Sequence, residues 1–499
     1  MSELHLHLEP SPSEYFPPLP NRTISFDTVS ERDERAAAQS NTSPSKKSNP
    51  SSWRQRRAER LARRENTFKL KTMYAALTKD PGNQDGIKEA QDWIEKRLEH
   101  LGKDPKFAIV LRGPEDNEVI GWGALELNEQ SSIELGGLSN IQSVVVDEAP
   151  KKRLIATKRD RAFNWDQLAW KKVDAPFDLI DVGRCKGKKL DELEEFTYES
   201  QRGKRNDGKR IYIYIIEEGI QMDVKYRNIP EFPNREQTIY TDHCIIEGHN
   251  NENDEDLEFH GTIVASLALG QSHGVSKSAT LVSVKYWGPL TDMIDALYKA
   301  GIHIRDNGRQ LNSIIVLTNG PRDPTDPVKA REIDPAAADT YKWISTLHDA
   351  GVPVIAPAGN DRLLKNGNPS REAIDFWPSN WESPNFPLIN VAEMDLDGIR
   401  SEESQAGNQV TTWASSKAAW VMRKDGTSDE GAGTSLGCGI VAGVIAGLMA
   451  LDEPPWGAVT GRDRVEAIRQ FIRNGDNSGW KRDDKQYGQG NTLIGERII

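Results

Sequence analysis

The chain has 499 residues, of which 36% are hydrophobic and 28% charged, and a formal net charge of -12. That length admits two or three domains, and the charged fraction leaves part of the chain in solvent. The acidic balance excludes non-specific nucleic-acid binding by the whole molecule, because phosphates would be repelled.

Residues 1–65 are dominated by Ser, Pro, Asn and charge, which predicts a disordered tail. Its start, MSELHLHLEPSPSEYF, has neither the basic beginning nor the apolar run of a secretory signal. The basic run KKSNPSSWRQRRAERLARRE reads as a solvated segment leading into a helix. The longest apolar stretch, residues 440–451, is short of the roughly 18 apolar residues that span a bilayer. Three cysteines, Cys185, Cys244 and Cys438, make neither a disulfide framework nor a CxxC metal pair. The expectation is a cytoplasmic protein with no membrane partner.

Residues 67–149 read as a small α+β module. The strand TFKLKTMYAAL is followed by a helix from about Asp85 to Leu101, with Ile87, Ala90, Trp93, Ile94 and Leu98 on one face. The strands KFAIVLRG and EVIGWGALEL come next, then a short helix over residues 131–138 and the strand QSVVVDEA. The order β-α-β-β-α-β is that of a ferredoxin-like sandwich. Residues 150–208 are charged and irregular and read as a connector.

From residue 209 to the end, continuous apolar strands alternate with amphipathic helices: IYIYII, LVSVKYW, NSIIVLTNG, VPVIAPAGN and FPLINVAEM are strands. This pattern predicts an α/β domain, a mostly parallel sheet with helices on both faces. Such sheets carry their reactive groups beyond the carboxyl ends of the strands. Three segments fall there. IYIYIIEEGI ends with Glu217 and Glu218, whose side chains point to opposite faces. EFHGTIVASLALG places His260 at the start of a helix, and GAGTSLGCGIVAG places Ser435 at another helix N-terminus, near free N–H groups and the positive end of the dipole.

The order of carboxylate, HGT and GTS, joined by GVSKSATLVSVK and VPVIAPAGND, resembles the subtilisin family of serine proteases over residues 210–451. The resemblance implies peptide-bond hydrolysis, with Ser435 as nucleophile, His260 as general base, Glu217 in the place of the family's aspartate and Asn360 in the oxyanion hole. It implies a substrate groove walled by Leu317, Thr318, Asn319 and Gly320, to which a peptide adds as a β-strand. The 67–149 module resembles the family's inhibitory propeptide, which implies a zymogen whose own propeptide domain is an intramolecular partner, cleaved between about residues 146 and 162.

Two departures from the family stand out. Glu217 is one methylene longer than aspartate, and the usual GTSMASP reads GTSLGCG, with Gly437 for alanine and Gly439 for proline. Glycines near a helix start cost up to about 1 kcal/mol each in propensity, so they are expected to loosen the placement of Ser435. The alternative to an endopeptidase is therefore a weakened or inactive homologue acting as a peptide-binding or regulatory module. No cofactor is implied. The acidic run NENDEDLE before His260 lacks an ordered calcium-ligand pattern and reads as a solvated loop. No GxGxxG or P-loop supports a nucleotide-binding reading.

Overall fold

The computed structural model describes residues 73–113, 118–147, 210–244, 256, 258–287, 290–321, 330–332, 334–363, 371–395, 399–417, 419–451 and 454–473. The expected N-terminal tail, the 150–208 connector, most of the acidic run and the final GNTLIGERII lie outside these residues.

The larger domain is built on β-branched and aliphatic runs with no polar face to offer water. Strands β5 (Tyr212–Glu217), β8 (Ile239–Cys244), β9 (Thr280–Trp287), β10 (Ser313–Leu317), β11 (Val354–Pro357), β12 (Ile389–Glu393) and β13 (Thr412–Ala414) form one seven-stranded sheet in the order β13-β12-β11-β10-β5-β9-β8. Every pairing in it is parallel. β9 through β12 are buried along their whole length. Parallel strands need crossovers that cover both faces, so the continuous apolar pattern and the topology have one cause. This is the α/β fold expected from the alternation.

One face is covered by α3 (His260–Leu269) and α6 (Thr434–Met449), whose side chains join Ile213, Ile215, Ile314, Val316 and Ile355 in one core. The other face is covered by α4 (Leu290–Asp306) and α5 (Pro335–Asp349), packed on Tyr214, Ile216, Ile315 and Leu317. The alternate residues of β5 and β10 thus serve opposite cores. α7 (Gly461–Arg473) closes the described part of the domain.

Glycines of α6 have a packing function that propensity does not show. A Cβ on Gly439 would lie 2.5 Å from the carbonyl oxygen of Val264, and one on Gly443 would lie 2.5 Å from that of Ala268. α6 therefore crosses α3 backbone against backbone. Gly439, whose propensity alone predicts a looser helix start, thus also permits a contact that brings the two helices close.

Residues 74–146 form a second sheet, in the order β2-β3-β1-β4, from β1 (Tyr74–Thr78), β2 (Ile109–Arg112), β3 (Val119–Leu125) and β4 (Ile141–Val146). All its pairings are antiparallel. α1 (Gln84–His100) and α2 (Glu129–Gly136) cover one face, packing Ile87, Ala90, Ile94 and Leu135 on Trp122 and Leu125. The opposite face offers Met73, Ile109, Leu111 and Ala124 to the core beneath α4 and α5. β3 is buried on both sides, which accounts for its unbroken apolar run.

The junction carries specific polar contacts. Asp147, just past β4, accepts hydrogen bonds from the backbone N–H of Thr291 at 3.1 Å and from its hydroxyl, so it caps the first turn of α4. Trp343 donates from Nε1 to the carbonyl of Arg112 at 2.8 Å.

Candidate active site

The carboxyl end of β5 delivers Glu217 into the interior, with its side chain 1% exposed, while Glu218 on the opposite face is partly exposed. Gly219 follows at φ 140°, a conformation that favours glycine. The turn brings the chain against the start of α3. A Cβ on Gly261 would lie 2.2 Å from the Gly219 carbonyl oxygen and 2.9 Å from the Glu217 Cβ, so only glycine fits there.

His260 is the first residue of α3 and is almost wholly buried. Its Nδ1 lies 2.9 Å from Oε1 of Glu217. The longer acid reaches the imidazole. With Glu217 ionised, Nδ1 carries the proton and Nε2 is left as the basic nitrogen, the tautomer a general base requires. Thr318, one residue past β10, donates its hydroxyl to the same Oε1. The register explains why: Leu317 pairs with Ile216, which puts Thr318 beside Glu217. Nearby, Asn319 donates from Nδ2 to the Tyr286 hydroxyl at 2.7 Å, and burial followed by the charge of Glu217 pushes that phenol well above its ordinary range.

The N-terminus of α3 has no cap from Phe259, which sits at φ 60°. Asp256 supplies the cap instead: its Oδ2 accepts from the Thr262 N–H at 2.8 Å and the Thr262 hydroxyl at 2.7 Å. At least this member of the acidic run has a defined structural task. Among the described residues, no group of three or more His, Cys, Asp or Glu could hold a metal ion.

Ser435 occupies the first turn of α6 and keeps 7% of its surface exposed. Asn360, beyond the end of β11, accepts at Oδ1 from the Thr434 N–H and hydroxyl, both at 2.9 Å. Those bonds fix the amide so that Nδ2 is its other end. A Cβ built on Gly433 would come 3.5 Å from that nitrogen. Cys438 packs one turn into α6, fully buried, and burial pushes its thiol well above its usual range. It is a core side chain in this setting.

Leu317, Thr318 and Asn319 are buried, and a Cβ on Gly320 would strike the Trp377 carbonyl oxygen at 2.0 Å. Sequence reasoning placed Thr318 in a groove wall and did not find its bond to Glu217. It also passed over Glu393, buried at the carboxyl end of β12, whose Oε1 accepts the Gly433 N–H at 2.5 Å. A carboxylate closing an apolar strand, the signal that singled out Glu217, was present in FPLINVAEM as well.

The chain matches the subtilase family over residues 208–490. It belongs to that family. Among curated subtilases, it is 26% identical over 287 residues to a subtilisin-like protease of Coccidioides posadasii (strain C735), an alignment covering 56% of this chain and 60% of the relative. It is 27% identical over 301 residues to subtilisin-like protease 2 of Trichophyton rubrum, covering 57% of this chain and 60% of that protein. The matched portion thus spans about 60% of the length of these relatives. The crystal structure of the epidermin leader peptide processing serine protease of Staphylococcus aureus superposes with a TM-score of 0.56 at 15% identity, covering 85% of this chain and 97% of that one. That likeness is one of fold.

Proposed function

We propose that this subtilase hydrolyses peptide bonds as a serine endopeptidase. Ser435 attacks the scissile carbonyl, and His260 takes its proton at Nε2 and returns it to the leaving amine. Glu217 holds the imidazole in that tautomer and stabilises the imidazolium that forms. The Nδ2 of Asn360 and the backbone N–H of Ser435, at the positive end of α6, donate to the tetrahedral oxyanion. The main chain of residues 317–320 pairs with the substrate as an added strand. The observation that carries the reading is the buried Glu217–His260 hydrogen bond of 2.9 Å. A buried, oriented imidazole at the start of one helix, with a serine at the start of the helix packed on it, supports this reading.

The test is proteolysis of an unfolded protein substrate by the purified chain and by Ser435→Ala. Cleavage by the wild type that vanishes in the variant supports the enzyme. A well-folded wild type that binds peptides without cutting them, with cutting gained in Glu217→Asp, would favour a non-catalytic, peptide-binding subtilase.

For the 74–146 module we propose the role of intramolecular inhibitor. It is docked by Asp147 on α4 and by an apolar face on α4 and α5, and its last strand leads towards the segment where processing is expected. Intact-mass measurement decides this. Processing between about residues 146 and 162 in the wild type, absent in Ser435→Ala, supports self-cleavage; an uncut wild type with full activity rules the inhibitor role out.

A further inference from the structure

We propose that Glu393 is a positioning residue for the nucleophile loop, holding Gly433 through a carboxyl that must remain uncharged for the loop to work. This rests on the peptidase reading of Ser435.

Glu393 ends β12 and is fully buried. Its Oε1 accepts the N–H of Gly433 at 2.5 Å. Gly433 immediately precedes α6, two positions before Ser435, at φ 146°, so its backbone conformation belongs to the loop that sets the nucleophile. The other oxygen, Oε2, has no hydrogen-bond partner among the described residues. Glu393 itself is pinned through its main chain: its N–H donates to the Ser404 hydroxyl at 3.1 Å, and its carbonyl accepts from the Ser401 N–H at 3.0 Å.

No cation is in contact with this carboxyl among the described residues. The charges that act on it come from the 399–417 loop, where Glu403 raises its pKa and Lys417 lowers it. α6 contributes no titratable side chain in its first turns except the neutral Cys438, and β11 and β13 contribute none. Burial dominates and pushes Glu393 up to about 7, against the lowering pull of the Gly433 N–H. An acid in this position gives the loop an acceptor without a charge. Once ionised, it sets a full negative charge on the loop that leads into Ser435, at the Gly433 N–H it holds. The oxyanion is to develop at the Ser435 end of that loop, and a like charge in a low-dielectric site opposes it.

The consequence is an activity that falls on the alkaline side of neutrality. The test is the rate of fluorophosphonate labelling, and kcat/KM on a peptide substrate, from pH 5 to pH 9 for wild type, Glu393→Gln and Glu393→Ala, with Tm recorded at each pH. The wild type is expected to lose about tenfold between pH 7 and pH 9, the size of effect one buried like charge produces. Glu393→Gln keeps an acceptor for Gly433 and loses that fall. Glu393→Ala lowers kcat across the range, with KM little moved. Superimposable profiles for wild type and Glu393→Gln overturn the proposal, as does a wild-type fall that merely follows unfolding. Failure of all three proteins to label at any pH defeats the peptidase reading itself, and the proposal with it.

Discussion

Oε1 of Glu217 lies 2.9 Å from Nδ1 of His260, across a junction where β5 and α3 meet backbone to backbone. The Gly219–Gly261 contact fixes that spacing, so the length of the acid is matched to it. Glu217→Asp would withdraw the carboxylate by about 1.5 Å, one carbon–carbon bond. A misplacement of that size costs on the order of 100-fold in kcat. Glu217→Gln leaves the shape and removes the charge, with a loss on the order of 10⁴-fold. Steady-state kinetics on the two variants check the ranking; an aspartate variant faster than the wild type would show that the glutamate impairs the native site.

Thr318 holds the same carboxylate oxygen. Thr318→Val keeps the volume and deletes the donor. A hydrogen bond to a charged group contributes about 1.5–3 kcal/mol, or roughly 10- to 100-fold. The loss is expected in kcat, with KM little altered, since the side chain is buried behind Glu217. A change confined to KM would instead place Thr318 in the substrate groove.

The glycines of α6 separate packing from propensity. Gly439→Ala puts a methyl 2.5 Å from the Val264 carbonyl oxygen, and overpacking of this kind costs about 1–3 kcal/mol. Gly447 has nothing within 4 Å of its would-be Cβ, so Gly447→Ala gains up to about 1 kcal/mol of helix propensity. Thermal unfolding is expected to show a lower Tm for the first variant and a higher one for the second. Equal shifts would mean that α3 and α6 do not approach closely.

His348 is fully buried in α5, neither ring nitrogen has a hydrogen-bond partner among the described residues, and Phe386 meets it edge-on. Burial holds its pKa down to about 3, against 6.5 in the unfolded chain. Between those values the unfolded chain binds a proton that the folded protein refuses, so stability is complete above about pH 6.5 and falls as the pH drops towards 3. His348→Leu removes this term. Its Tm advantage over the wild type should widen from pH 7.5 to pH 5; a constant difference would show that the imidazole is not excluded from protonation.

Much of this was legible in the sequence, and the exceptions have physical reasons. Continuous apolar strands identified the sheet, and HGT and GTS marked His260 and Ser435 as candidates at two helix starts, where the fold does place them. Partners set by register were hidden: Thr318 meets Glu217 only because β10 pairs with β5 as Leu317 to Ile216. Gly437 and Gly439 of GTSLGCG look destabilising along the chain, yet a Cβ on the first would crowd Val391 and one on the second the Val264 carbonyl of α3. The docking face of the N-terminal module was concealed in β3, where Gly123 touches Thr291 and lets the strand be buried on both sides. A periodicity argument assigns such a strand to a core and does not say whose.

The most direct measurement is peptide mapping by mass spectrometry after exposure of the folded protein to a fluorophosphonate, on the wild type, Ser435→Ala and His260→Ala, with and without residues 1–162. A single adduct on Ser435 in the wild type, absent from both variants, is the predicted result. An unreacted serine in folded, truncated wild type, or an adduct retained without His260, would contradict a hydroxyl activated by the Glu217–His260 pair.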